Sequence, residues 1–206
     1  MGAKFRWSQT DGRLLEAGLG LALALVGIFG ILLPALGVAG LMDPVDTREV
    51  ASKTATQVPG TTVDAATGSG MAPTGTHRVD LAFLSPDLGQ RLLLALPEVI
   101  GSLLLLLILT LLFTMARTLR DGDVFVPANA RRLSIIGLTV LAQSLLTPML
   151  PALTTELLVS GTPMAEEVPF SATFTGGHVL LALLVLALGE VFRRGTKLRA
   201  DTEGLV

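Results

Sequence analysis

The sequence predicts an all-α integral membrane protein, a four-helix transmembrane bundle. Three observations predict it. Half of the 206 residues are apolar, only 16% are charged, and the mean hydropathy is +0.67; an average soluble domain is about 25% charged. Four stretches stay apolar over the roughly 20 residues that a helix needs to cross hydrocarbon. Positive charge is also divided unevenly between the segments that join them. These stretches are uniformly apolar rather than alternating, which indicates helices and not the strands of a barrel.

The first span runs from Leu14 to Leu41. Its basic start (Lys4, Arg6, Arg13) is like that of a signal peptide, but the apolar region is far longer than the about 7–15 residues of a signal core, so an uncleaved span is expected. Gly20, Ala24, Gly27 and Gly30 are small enough for close helix approach, within the bundle or in a homo-oligomer. The outer loop 42–91 follows. Its centre is rich in Thr, Gly and Ala, while REVAS and HRVDLAFL have the alternation and β-branching of short strands. His77 lies here with no second histidine nearby and reads as solvated.

The second span is Leu92 to Phe113 and contains five consecutive leucines, Leu103 to Leu107. The inner loop 114–132 offers a turn at Asp121-Gly122, and Pro127 suits the first turn of a helix. Val124, Phe125 and Val126 form a short apolar run that wants a surface to dock on. The third span is Leu133 to Ala152. In the outer loop 153–173, which leads into the fourth span, EEVPFSATFT is another strand candidate. A small extracytoplasmic β-rich cap built from both outer loops is one reading of these segments; a disordered loop is the other. The fourth span is Phe174 to Phe192, followed by a tail, 193–206.

Orientation follows from charge. Eleven of the fifteen Lys and Arg residues lie in the N-terminus, the inner loop and the tail. The outer loops hold only Arg48, Lys53, Arg78 and Arg91. This bias places both termini in the cytoplasm.

Ionisable groups inside a span are costly, and each is a functional hypothesis. Glu98 lies about 9 Å into the second span and His178 about 6 Å into the fourth. Both spans start outside, so the two residues sit at similar depth and form a candidate pair for a proton or a cation. Gln143 lies near mid-bilayer, where an interhelical hydrogen bond is its expected role. Pro34, Pro97, Pro148 and Pro151 cluster toward the outer ends, with Gly176-Gly177 at the same level. Helices that kink at one face can open an outward-facing vestibule.

Several function classes find no footing. A net charge of -2 gives no case for direct nucleic-acid binding. The absence of cysteine removes thiolate chemistry. No hydrolase, metalloprotease or phosphate-loop motif is present. The expectation is a protein that is not an enzyme and has no cofactor or metal site. It would act in the lipid bilayer through protein partners, as a regulator or sensor. The alternative is a small transporter, channel or accessory subunit built around Glu98 and His178.

Two cytoplasmic motifs carry a family resemblance. The block from Gly122 to Leu133, with Ile136-Gly137 after it, resembles the pattern G-x-P-F-x-x-x-N-x-x-R-L-x-x-I-G. The segment from Gly189 to Leu198 resembles A-E-V-F-R-x-G-x-x-L. Both are marks of the bacterial membrane family catalogued as domain-of-unknown-function family 2975. Val124 and Gly189 depart from the pattern, where Pro is usual and Ala is frequent. The resemblance implies four spans in a bacterial cell membrane, cytoplasmic ends and no established activity. It also implies a cytoplasmic partner, since some members are encoded beside small helix-turn-helix regulators. The candidates for a docking motif are the matching Gly122, Phe125, Asn129, Arg132, Glu190, Phe192, Arg193 and Gly195, with the neighbouring Arg131 and Arg194. The inner loop and the tail are expected to pack together. Glu190 is placed to pair with Arg193 or Arg194, and Asp121 or Asp123 with Lys197 or Arg199.

Overall fold

The computed structural model describes residues 9–43, 45–56, 76–120 and 126–203. Four helical stretches are long and apolar enough to cross a membrane: Gly12–Val38, Leu88–Thr118, Pro127–Val159 and Gly176–Leu198. The protein is therefore a multi-pass membrane protein of the all-α class.

The first stretch has three parts: α1 (Gln9–Gly27), a π-helical turn (Ile28–Leu32) and α2 (Leu33–Val38). Pro34 explains the wide turn. It has no N–H to give to the carbonyl four residues back, and its ring crowds that carbonyl, so the helix loosens just before it. Within the loosened turn the N–H of Leu33 reaches the carbonyl of Ile28. The helix closes with Gly40 in the left-handed region (φ 75°) and Leu41 N–H bonded to Leu36 O at 3.0 Å, a glycine-terminated end.

The other spans are α3 (Leu88–Arg120), α4 (Pro127–Val159) and α6 (Gly176–Glu203), with a short α5 (Met164–Glu167) between the last two. Pro127 opens α4, as expected. All three long helices outrun the apolar stretches that predict them. Most of the expected tail is the last three turns of α6, and the inner connection shortens to the few residues between Arg120 and Pro127. The cause is local: ARTLR and RRGTKLRADTE are polar but rich in good helix formers, so a helix begun in lipid continues into water.

Helix α4 is the central element. It packs against α3 on one side and α6 on the other, while the first stretch lies against α3. Ile108 and Met115 of α3 meet Leu133 and Ile136 of α4 in a buried cluster that Val185 and Phe192 of α6 complete. Two glycines permit the closest approaches. A methyl group on Gly137 would sit 3.0 Å from the backbone nitrogen of Leu186, and one on Gly30 would overlap the Ser102 side chain.

Outside the helices, β1 (Thr47–Thr56) and β2 (Thr76–Ala82) pair antiparallel, with Val50 opposite Val79. Both expected strand segments of the first outer loop are thus present. The strand expected in EEVPFSATFT is not: that segment holds the end of α5 and irregular chain. Pro169 lacks a ladder donor, and among the described residues β1 and β2 pair only with each other. A lone hairpin is marginally stable, and this one is tied down. Lys53 Nζ donates to the carbonyl of Glu166, and β1 touches α5, so both outer loops contribute to the cap.

Candidate functional site

Polar side chains gather at two levels: the ends of α3 and α4 beside the hairpin, called outer after the orientation that the positive-charge bias predicts, and the opposite ends of α3, α4 and α6, called inner. The outer group is organised by Arg48. Residues alternate sides along a strand, so Arg48 and Val50 point to one face of β1 while Glu49 on the other pairs with Arg78 at 3.1 Å. Arg48 reaches from the strand to both helices. Its Nη2 donates to Leu94 O at 2.7 Å and Leu93 O at 3.4 Å; its Nη1 donates to Thr154 Oγ1 at 2.5 Å and Pro151 O at 3.5 Å. Leu93 is the residue whose carbonyl Pro97, four positions on, leaves without a helical donor. Thr154 is buried and donates its own proton to Leu150 O at 2.8 Å, so it accepts from the guanidinium. Burial pushes the pKa of Arg48 down from its ordinary value. An arginine starts high enough to stay charged all the same.

Sequence reasoning counted Arg48 only as one of four outer positive charges. The available signal was Pro97, which announces a carbonyl in need of a donor, but nothing in the linear order points to a strand residue about fifty positions earlier.

The intramembrane residues separate into two places. Glu98 and Gln143 share a cleft of about 340 Å³ between α3 and α4, lined also by Pro97, Ser102, Thr147 and Pro151. Pro148 and Pro151 free the carbonyls of Ser144 and Thr147 from their helical donors, which adds polarity at this level. On its other side Glu98 borders the gap toward α2, with Pro34, Asp43 and Arg91. His178 does not join them. It lies exposed in the first turn of α6, its N–H on Thr175 O at 3.2 Å. No hydrogen bond or ion pair joins it to Glu98, and α6 packs on α4 rather than α3. The expected Glu98–His178 pair is therefore not formed: the two residues share a depth, but α3 and α6 each pack chiefly on α4 and His178 stays exposed. Glu16, in the inner part of α1, is a half-buried carboxylate that the sequence reading passed over because it sits where the apolar run begins.

At the inner level Asn129 is almost fully buried, 1% exposed. Its Nδ2 donates to Thr118 Oγ1 of α3 at 3.0 Å, and its Oδ1 accepts from Arg132 Nη1 at 2.8 Å. Thr118 passes its proton to Met115 O at 2.8 Å. Asn129 therefore locks α3 to α4 and offers no surface for docking. Phe192 belongs to the apolar cluster and Gly195 is half-buried. Arg131 is exposed. Glu190 bonds both Arg193, at 2.7 and 2.9 Å, and Arg194, at 2.9 Å, as the spacing predicts. The start of α4 and the end of α6 line one cleft, so the two motifs do meet. Gly122 and Phe125, like Asp121 and Asp123, lie outside the described residues, and so does the side chain of Arg199.

No curated protein and no solved structure matches this chain. A family described as a protein of unknown function (DUF2975) matches residues 49–206. The match takes in most of the hairpin, α3, α4 and α6, and with them the polar lock and both inner motifs. The chain belongs to the DUF2975 family.

Proposed function

We propose that the protein is non-catalytic and acts through a cytoplasmic protein partner, as a regulator or sensor in the bacterial plasma membrane with both termini inside. One observation carries the reading: α4 is tied at both ends to polar contacts that are not its own. Thr154 at its outer end accepts from Arg48 of the hairpin, and Asn129 at its inner end bonds Thr118 of α3. The two residues are about 38 Å apart along the helix. A displacement of the outer hairpin is passed to α4 by a guanidinium with several bonds and reaches the inner surface through one continuous helix. The partner class that family resemblance suggests is a small helix-turn-helix regulator. Affinity purification of the full chain in mild detergent tests this. Arg131→Ala and Phe125→Ala are each expected to lose the partner; retention of every co-purifying protein by both variants rejects the reading.

A second reading, a small transporter or channel, is favoured by the cleft that joins Glu98 to Gln143. It predicts pH-dependent flux in liposomes that Glu98→Gln abolishes. Unchanged flux removes it.

A further inference from the structure

We propose that the cleft between the start of α4 and the end of α6 binds the phosphate headgroup of an anionic phospholipid. The proposal goes beyond the partner reading and does not depend on it. The cleft, about 580 Å³, is lined by Pro127, Glu190, Arg193, Arg194, Thr196 and Lys197. Among the described residues, three cations stand there against one carboxylate. Glu190 engages Nε and Nη2 of Arg193 but only Nε of Arg194. Among the described residues, both terminal nitrogens of Arg194 and one of Arg193 are left to donate, and Lys197 makes no ion pair. The Thr196 hydroxyl is engaged with Arg193 O at 2.8 Å and does not compete. The opposite wall is Pro127, the first residue of a 33-residue helix whose N-cap, Val126, gives no side-chain cap. Its positive end adds to the field.

Position selects a lipid as the source of the phosphate. The apolar part of α6 ends at Phe192, about 24 Å along the helix from Gly176, so Arg193, Arg194 and Lys197 stand where hydrocarbon gives way to headgroups. Leu180, Leu183 and Val191 are exposed by 63%, 53% and 61%, and steps of three and four residues through the exposed Ala187 put them on one face of the helix. Arg194, three residues beyond Val191, continues that face and is 78% exposed. An acyl chain lying on the stripe places its phosphate at Arg194, with Lys197 one turn further. Basic pockets between helices at a membrane surface are suited to such headgroups. A free anion would meet the same charges but gain nothing from the apolar stripe.

Native mass spectrometry of the full chain in mild detergent, with phosphatidylglycerol or phosphatidylcholine added, tests the assignment. The wild type should retain phosphatidylglycerol in preference. The double variant Arg194→Gln/Lys197→Gln should weaken that retention about thirtyfold, which corresponds to two charges at about 1 kcal/mol each. Arg117→Gln, an exposed arginine of α3 that does not line the cleft, should leave it unchanged. Glu190→Gln should raise it, because it releases both guanidinium groups; a merely structural carboxylate would lower it. Equal retention of the two lipids, an equal loss in Arg117→Gln, a fall in Glu190→Gln, or full displacement of the lipid by inorganic phosphate would each overturn the proposal.

Discussion

Arg48 is held by geometry that no other side chain reproduces. Its planar fork spans acceptors on two helices at once, and the acceptors are of the kind that need it: the Leu93 carbonyl, left without a helical donor by Pro97, and a buried threonine oxygen. Removing it leaves acceptors unsatisfied, at about 1–3 kcal/mol for each one that stays buried. Arg48→Ala is therefore expected to lower the thermal unfolding midpoint of the detergent-solubilised protein clearly, and Arg48→Lys to recover only part of the loss, because one ammonium nitrogen replaces the two terminal nitrogens that serve Leu94 and Thr154 separately. Full recovery by lysine would show that charge alone is enough. Asn129 teaches the complementary lesson about legibility. The family pattern singled it out, and its polar side chain on an inner loop read as something for a partner to touch. The residue that satisfies it, Thr118, lies on a different helix, and a one-dimensional reading has no means of seeing that closure.

Helix contacts depend on a few positions where a side chain is missing. Gly30 lies in the π-helical turn that Pro34 forces, and a methyl group there would fall 2.1 Å from Ser102 Oγ and 2.6 Å from its Cβ. The expected outcome of Gly30→Ala is separation of the first stretch from α3, at about 1–3 kcal/mol as for other overpacked sites. Ser102→Ala should not relieve it, because the Cβ clash remains, whereas Ser102→Gly should. Crosslinking between cysteines introduced on α1 and α3 measures the separation; rescue by Ser102→Ala would place the conflict elsewhere. Gly30 was legible in the sequence as one of several small residues, but not as the one that matters: Gly18, Gly20 and Gly27 have open space where a Cβ would go. Small-residue spacing marks a face that permits approach without saying which turn achieves it. The same limit applies to Glu98 and His178. Depth can be counted along each span, but helix order is set by which faces fit, and α4 packs against both α3 and α6.

For the molecule as a whole, the feature most legible in the sequence is the number of spans, because lipid leaves a backbone so few options. Hydrocarbon offers no partner for an N–H or a carbonyl, so an apolar run of sufficient length must close its own hydrogen bonds as a helix. No such demand acts beyond the headgroups, which is why the helices run past the apolar stretches that predict them. Orientation rests on a different force, the retention of positive residues on the cytoplasmic side during insertion. Four spans return the chain to the side it started from, so the N-terminus, the inner connection and the end of α6 share one fate, and eleven Lys and Arg residues act together on it. A phosphatase reporter that is active only outside the cytoplasm should be silent when fused after Val206 and active when inserted after residue 65. Exchanging Arg193, Arg194 and Lys197 for glutamine should not invert the protein, because the N-terminus and inner connection keep most of the bias. Adding positive residues to the outer loops while removing those three should produce a mixed population. A reporter active after Val206 in the unaltered chain would exchange the inner and outer faces of the protein. It would leave intact the Arg48 clamp and the Asn129 lock, which depend on contacts between helices and not on the side of the membrane they face.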